Sequence, residues 1–217
     1  LAALRQGLQT LQADALFILG DLVEAWVGDD ALELPWAQEL AQVLRACGQR
    51  MPLYFQHGNR DFLLGGHMAQ ACGMQLLAEV CRLEACRQRV VLVHGDEQCL
   101  DDSAYQAFRA QVRQANWQQS FLSQPLPQRL ALARQMREAS RKAHGGVESY
   151  GDLDPAACQQ LLILHHAQTL LHGHTHRPGQ HALANGQRLV LSDWDFEHAQ
   201  RGEWLLLEPS GWRRQAL

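Results

Sequence analysis

Five short polar blocks, each closing an apolar run, carry the chemistry of this chain. They are Gly20-Asp21 after ALFIL, Gly58-Asn59-Arg60-Asp61 after PLYFQH, His94-Gly95-Asp96 after RVVLV, Gly173-His174-Thr175-His176 after TLLH, and Ser192-Asp193-Trp194 after RLVL. A strand-then-loop repeat of this kind gathers polar side chains at one rim of a sheet, where open α/β folds build their sites. Asp21, Asn59, His94, His174 and His176 form a mixed oxygen and nitrogen set suited to first-row divalent metals, and no thiol falls within any block. The set suggests two metals rather than one.

A carboxylate bridges two cations readily, and Asp21, after a glycine that lets the backbone turn sharply, is the natural bridge. Asn59 offers a neutral carbonyl oxygen, and His94, His174 and His176 offer neutral imidazole nitrogens. With only Thr175 between them, His174 and His176 are expected to point the same way on an extended backbone. A two-metal site lowers the pKa of a shared water and steadies a phosphate and its leaving oxygen. It needs no serine or cysteine nucleophile, and no block supplies one, so no protein nucleophile is expected. Arg60 is placed to pair with a phosphate through its planar fork. The expected reaction class is phosphoester or phosphoanhydride hydrolysis. Each block alone is ordinary turn chemistry; all five in this order carry the reading.

The elements that must position these residues alternate. A helix over 2–12, with Leu4, Leu8 and Leu11 on one face, leads to a strand at 15–19. A helix at 35–47 precedes a strand at 53–56, and another helix is expected from Phe62. Short strands follow at 75–78, 81–85 and 88–93. After a helix at 155–166, strands return at 168–172, 187–191 and 203–208. This alternation predicts a layered α/β protein. Residues 103–148 differ, being helical throughout except around Pro125 and Pro127, and read as an inserted helical cap. Arg109, Arg113, Arg129, Arg134, Arg137, Arg141 and Lys142 there face only Glu138 and Glu148, whereas the whole chain carries a net charge of −4. Trp117, Phe121, Leu122 and Leu126, flanked by these arginines, resemble a surface that meets acyl chains and anionic headgroups.

With 217 residues, 47% apolar and 19% charged, the chain is sized for one globular domain. No apolar run approaches the roughly 18 residues that span a bilayer, and no signal peptide is visible. Six cysteines without C-x-x-C spacing read as reduced thiols, which points to the cytosol. The chain opens on Leu1 directly into helical periodicity and reads as starting downstream of the protein's own start. The net charge, with its basic excess confined to the cap, argues against nucleic acid as the main partner.

The motif series Gly20-Asp21, Gly58-Asn59, His94 and Gly173-His174-Thr175-His176 resembles that of the calcineurin-like metallophosphoesterases. The longer strings GDLVEAWVGDD, HGNRDFLLG, HGDEQCLDDSAYQAFR and LHGHTHRP narrow the resemblance to the UDP-2,3-diacylglucosamine diphosphatase family of the lipid A pathway. The resemblance implies a four-layer α/β sandwich of two mixed sheets flanked by helices. It implies two Mn²⁺ ions and hydrolysis of the diphosphate of UDP-2,3-diacylglucosamine to UMP and 2,3-diacylglucosamine 1-phosphate. By match, Asp21 bridges the metals, Asn59, His94 and His174 complete one position, and His176 serves the other. Asn59, Arg60, Asp102, Ser140 and His174 match substrate-contacting positions. The implied setting is the cytoplasmic face of the inner membrane, bound peripherally, with no obligate protein partner.

Two departures bear on these expectations. The family's opening Asp-x-His strand is not in this span, so the second metal position keeps only Asp21 and His176. This span alone is therefore expected to bind a second ion poorly and turn over little substrate. Past Ser140, His144 and Val147 stand near positions where the family offers an Asn and a Lys. A metallophosphoesterase acting on nucleotides or phosphoproteins and a metal-depleted binding module of the same fold remain alternatives at the level of sequence.

Overall fold

The computed structural model describes residues 1–143 and 151–217. His144 and Val147 lie outside the described residues.

Helix α1 (Ala2–Thr10) leads into strand β1 (Leu16–Leu19), and α2 (Pro35–Gly48) into β2 (Leu53–Gln56). Pro35 opens α2, where its missing N–H costs nothing, and Ala37, Leu40, Ala41, Leu44 and Cys47 form its buried face at helical spacing. Helix α3 spans Gly66–Cys72 and strand β3 Met74–Leu76. The helix expected from Phe62 begins only at Gly66. Asp29 caps it, accepting the Gly65, His67 and Met68 N–H groups at 2.8, 2.9 and 3.0 Å, and residues before Gly65 turn instead.

Strands β4 (Val80–Ala85) and β5 (Gln88–Val93) form a hairpin, and helix α7 (Pro155–Leu164) precedes β6 (Thr169–His172). Asp154 caps α7, its carboxylate accepting the Ala157 N–H at 2.7 Å. The chain ends in two hairpins, β7 (Gly179–Leu183) with β8 (Gly186–Val190), and β9 (Glu203–Glu208) with β10 (Gly211–Ala216). Strands β7 and β10 were not anticipated. GQHAL and GWRRQA lack apolar alternation because both strands are largely open to solvent, and their pairing partners impose their conformation.

Strands β1, β2 and β3 make a parallel sheet, and the order β4-β5-β6-β8-β7 makes a mixed one in which β5, β6 and β8 run parallel. Side-chain alternation decides which layer each residue joins. Val90 and Leu92 of β5 face Leu19, Leu171 and Phe17, filling the space between the sheets. Val91 and Val93 face Leu153, Cys158 and Leu162 beneath α7. On the far side, Leu44, Leu53, Phe55 and Met68 pack with α1–α3. Helices, parallel sheet, mixed sheet and α7 therefore stack as four layers. Fully buried Val90, Val91, Leu92, Val93, Leu44, Leu53, Phe55, Met68 and Leu162 each contribute about 1.5–3 kcal/mol of burial.

Between β5 and its neighbour β6 the chain leaves the sheet for α4 (Ser103–Val112), α5 (Ala115–Leu122) and α6 (Leu126–Ala143). Trp117, Phe121 and Leu126, expected to meet acyl chains, instead pack on the core shared with α1–α3. Trp117 stacks on Phe121 at 5.0 Å between ring centroids and touches Phe62, and only Leu122 of the four is exposed. Four of the flanking arginines are engaged as well. Arg109 and Arg113 pair with Glu79, buried Arg129 with Asp30, and Arg137 with Glu24. A basic segment laid on an acidic body pairs its charges there, because attraction to a carboxylate offsets part of the hydration a guanidinium loses on burial. No helix among the described residues is long and apolar enough to cross a membrane. All six cysteines are free thiols.

Candidate metal centre

Strands β1, β2, β5, β6 and β8 each end in one of the five polar blocks, and parallel pairing within each sheet brings those ends to one rim. Two glycines let the rim close. At Gly20 (φ 81°) a Cβ would stand 2.6 Å from His94 Nδ1 and run into the Gly58 backbone, and at Gly58 a Cβ would run into Asp21. The first two loops therefore approach backbone to backbone, as only glycine allows.

His94 is buried, and its Nδ1 lies 2.7 Å from the Leu19 carbonyl oxygen. A carbonyl only accepts, so Nδ1 carries the hydrogen and the neutral ring turns the Nε2 lone pair into the site. There it meets Asn59 Oδ1 at 2.9 Å and Asp21 Oδ1 at 3.6 Å. His174 Nδ1 also lies 2.9 Å from Asn59 Oδ1. Ligand atoms of Asp21, His94 and His174 fall within 4.8 Å of one another. Donor atoms at right angles around an ion with bonds near ~2.1 Å are about 3 Å apart, so these spacings fit one divalent cation. Asp21 Oδ2 supports the fit: it is buried and accepts no hydrogen bond among the described residues, Arg60 Nε standing 3.4 Å away. Between His94 Nε2 and Asn59 Oδ1, lone pairs face each other, which costs energy until a cation lies between them. Burial first, then the closeness of the His94 ring, holds the His174 imidazole well below its ordinary range and so neutral, as a ligand must be.

Asp21, His174 and His176 have positive φ, at 53°, 63° and 53°. The extended-backbone argument for His174 and His176 therefore fails: each sits in a left-handed conformation that costs a non-glycine residue energy. His176 is not among the three clustered ligands. It lies near enough to both His174 and Asp193 to shift their protonation, on the side of the fifth block. Asp193 is held by Arg201 through paired bonds of 2.8 and 2.6 Å.

Arg60 donates its backbone N–H to Asp21 Oδ1 at 2.9 Å, while its guanidinium reaches Asp21 at 3.4 Å and Glu24 at 2.8 Å. The fork assigned to phosphate is thus occupied by carboxylates, of which Glu24 is exposed. Asp102 is the N-cap of α4, accepting the Tyr105 N–H at 2.9 Å. Ser140 lies exposed on α6, and the clustered ligands do not include it.

Two residues were present in the blocks without a role. Asp61 is wholly buried and accepts the Gly58 N–H at 2.8 Å and the Leu22 N–H at 2.7 Å, clamping the loops that carry Asn59 and Asp21. Burial, then the neighbouring Asp21 charge, raises its carboxyl above the usual range. An Asp closing a Gly-Asn turn was the available signal. Asp96, also buried, accepts from Tyr105 Oη at 2.6 Å and Arg109 Nε at 3.0 Å. Burial would raise its pKa, but His94, Arg109 and the Tyr105 hydroxyl override burial and bring it to about 2. Its partners lie in α4, so no local pattern announced them.

The model of the calcineurin-like phosphoesterase family matches residues 1–178. A UDP-2,3-diacylglucosamine hydrolase of Bordetella parapertussis is 44% identical over 209 residues, covering 92% of this chain and 81% of that protein. Relatives with the same name in Chromobacterium violaceum and Stenotrophomonas maltophilia are 44% and 41% identical, covering 92% and 96% of this chain and 83% and 88% of their own. An archaeal phosphodiesterase of known structure, 8% identical, superposes with a TM-score of 0.52 over 100% of this chain and 92% of its own, a likeness of fold. A hydrolytic rim of histidines, Asp and Asn at parallel strand ends, and these matches over most of the sequence, place the chain in the calcineurin-like phosphoesterase family.

Proposed function

We propose that this protein hydrolyses the diphosphate of UDP-2,3-diacylglucosamine, releasing UMP and 2,3-diacylglucosamine 1-phosphate with two Mn²⁺ ions as cofactor. The observation that carries the reading is the convergence of Asp21, Asn59, His94 and His174 donor atoms at 2.9–3.6 Å, in a chain 44% identical to hydrolases of that name. Asp21, Asn59, His94 and His174 would hold one ion, and Asp21 with His176 would contribute to the second. Bound divalent ions supply Lewis-acid stabilisation of phosphate charge and lower the pKa of the attacking water.

The side chains do the rest. Arg60 exchanges exposed Glu24 for a phosphate oxygen of the substrate while keeping its contact with Asp21, so orientation is set before the anion arrives. Asn59 and His174 face the same phosphate, and Asp102 and Ser140, on the helical segment, approach the substrate from the other side. One P–O bond to water forms at the phosphorus of the uridylate and the diphosphate P–O bond breaks, with no residue becoming covalently attached. Residues 1–217 form one domain in this reading, with the helices α4–α6 as its cap. Peripheral contact with the cytoplasmic face of the inner membrane follows from the substrate's acyl chains.

The test is turnover by the protein expressed from its full reading frame with Mn²⁺, offered the UDP-sugar lipid, a cyclic nucleotide and a phosphopeptide. Selective release of UMP is expected. Equal turnover of all three would overturn the lipid assignment and leave a general phosphoesterase.

A further inference from the structure

Helix α4 is followed by its C-cap residue Arg113, whose guanidinium joins three loops far apart in sequence. It donates to the Gly58 carbonyl at 3.2 Å, pairs with Glu79 at 2.9 Å, approaches Asp96 at 3.8 Å, and lies over the Phe62 ring at 5.1 Å from its centroid. The Gly58 carbonyl belongs to the peptide that joins Gly58 to Asn59. Asp61 already takes the N–H of Gly58 at 2.8 Å, so that residue is gripped on both sides. Arg109, one turn earlier, pairs with the same two acids at 3.1 and 3.0 Å. The two guanidinium groups are met by Glu79 and Asp96, with Glu97 a further 3.9 Å from Arg109, and only 16% of the Arg113 side chain is exposed. A guanidinium spent this way is not presented to a substrate phosphate. Its fork geometry instead fixes the atoms it touches.

We propose that Arg113 is a positioning residue of the metal centre, holding the Gly58–Asn59 peptide against the loop of Asp96 so that Asn59 Oδ1 meets His94 Nε2 and His174 Nδ1. This rests on the reading of that cluster as a divalent-metal site. It also assigns α4 a task besides covering substrate: the helical segment completes the geometry of the ligands beneath it. Groups that orient metal ligands from behind set affinity by about 10–100-fold when removed.

The test is calorimetric titration of Mn²⁺ alone into the metal-free full-length protein and three variants. Arg113→Ala is expected to weaken the tightest site about tenfold, and Arg113→Lys, which keeps the charge but not the fork, to recover part of the loss. Arg129→Lys loosens the other buried anchor of the segment, to Val27 and Asp30, and touches none of the clustered ligands; it is expected to stay within about twofold of wild type. Equal affinity in Arg113→Ala and wild type overturns the proposal alone, as does equal weakening in Arg129→Lys, which would mean general docking of the segment. A wild type that takes up no Mn²⁺ overturns the metal reading and this proposal together. Far-UV circular dichroism of the metal-free proteins reports folding. If Arg113→Ala does not fold, Arg113→Lys decides: a loss of at least threefold supports the assignment, and none refutes it.

Discussion

Replacing Asp61 by alanine tests how the two ligand loops are joined. The Asp61 carboxylate is 0% exposed, and its oxygens accept from Gly58 and Leu22 at 2.8 and 2.7 Å. Hydrogen bonds to a charged acceptor contribute about 1.5–3 kcal/mol each, and losing both leaves two backbone donors without partners. The gross cost is about 3–6 kcal/mol, a large part of a typical stability of about 5–15 kcal/mol. Opposing it is relief of the repulsion between Asp61 and Asp21, which is what raises the Asp61 carboxyl after burial. A divalent cation on Asp21 neutralises that repulsion, so the relief is felt in metal-free protein and largely vanishes with metal bound. Asp61→Ala is therefore expected to lose about 3 kcal/mol or more with excess Mn²⁺ and distinctly less in EDTA. Urea unfolding followed by fluorescence in both conditions gives the difference, and kcat/KM is expected to fall at least tenfold. A variant within 1 kcal/mol of wild type in Mn²⁺ (a bound about the size of one neutral hydrogen bond) would refute the clamp. A larger penalty in EDTA than in Mn²⁺ would refute the electrostatic argument.

Chelation is expected to abolish hydrolysis of the diphosphate and added Mn²⁺ to restore it; activity undiminished by exhaustive chelation would sink the metal reading. His94→Ala removes both the ligand nitrogen and the bond to Leu19, and is expected to cost at least 100-fold in kcat/KM, with Mn²⁺ titration showing loss of the tight site. Thiol titration of the native protein is expected to modify Cys81 and Cys86, which are partly exposed, well before buried Cys47, Cys72, Cys99 and Cys158; uniform labelling would contradict the packing. Arg188 bonds both Asp152 oxygens, at 2.7 and 2.9 Å, and this holds the Asp152 pKa below its ordinary value. The folded state then binds fewer protons than the unfolded state near that value. Stability from the pair is full above about pH 4 and is lost as pH falls below it. Asp152→Asn should flatten that acid limb in unfolding measurements and leave the slope between pH 6 and 8 unchanged.

Much of the architecture was legible because apolar periodicity is a local property. The runs ending at Leu19, Gln56, Val93, His172 and Val190 are short, apolar and followed by turn residues, so their strands and their polar ends could be read directly. Strands β7 and β10 could not, since an edge strand open to solvent needs no apolar pattern and takes its shape from its partner. The start of α3 depended on Asp29, more than thirty residues earlier in the chain. Trp117 and Phe121 show the limit in another way. An aromatic beside an arginine has the same local pattern whether it meets a lipid or a neighbouring core, and here Phe62 and the α1–α3 layer receive it.

For the site, residue type alone determined the chemistry on offer: carboxylate, amide and imidazole donors without thiols, each following a strand, which is a statement about coordination and strand polarity that needs no coordinates. Tertiary structure decided which of those donors meet. Asn59 stands between His94 and His174 because β2, β5 and β6 end at one rim, and His94 presents Nε2 because Leu19, on a different sheet, occupies Nδ1. The left-handed backbone at His174 and His176, the clamp at Asp61 and the Arg113 grip on the Asn59 peptide belong to the same category. Hydrogen bonds act over about 3 Å, and the chain brings their partners within that reach only after it has folded.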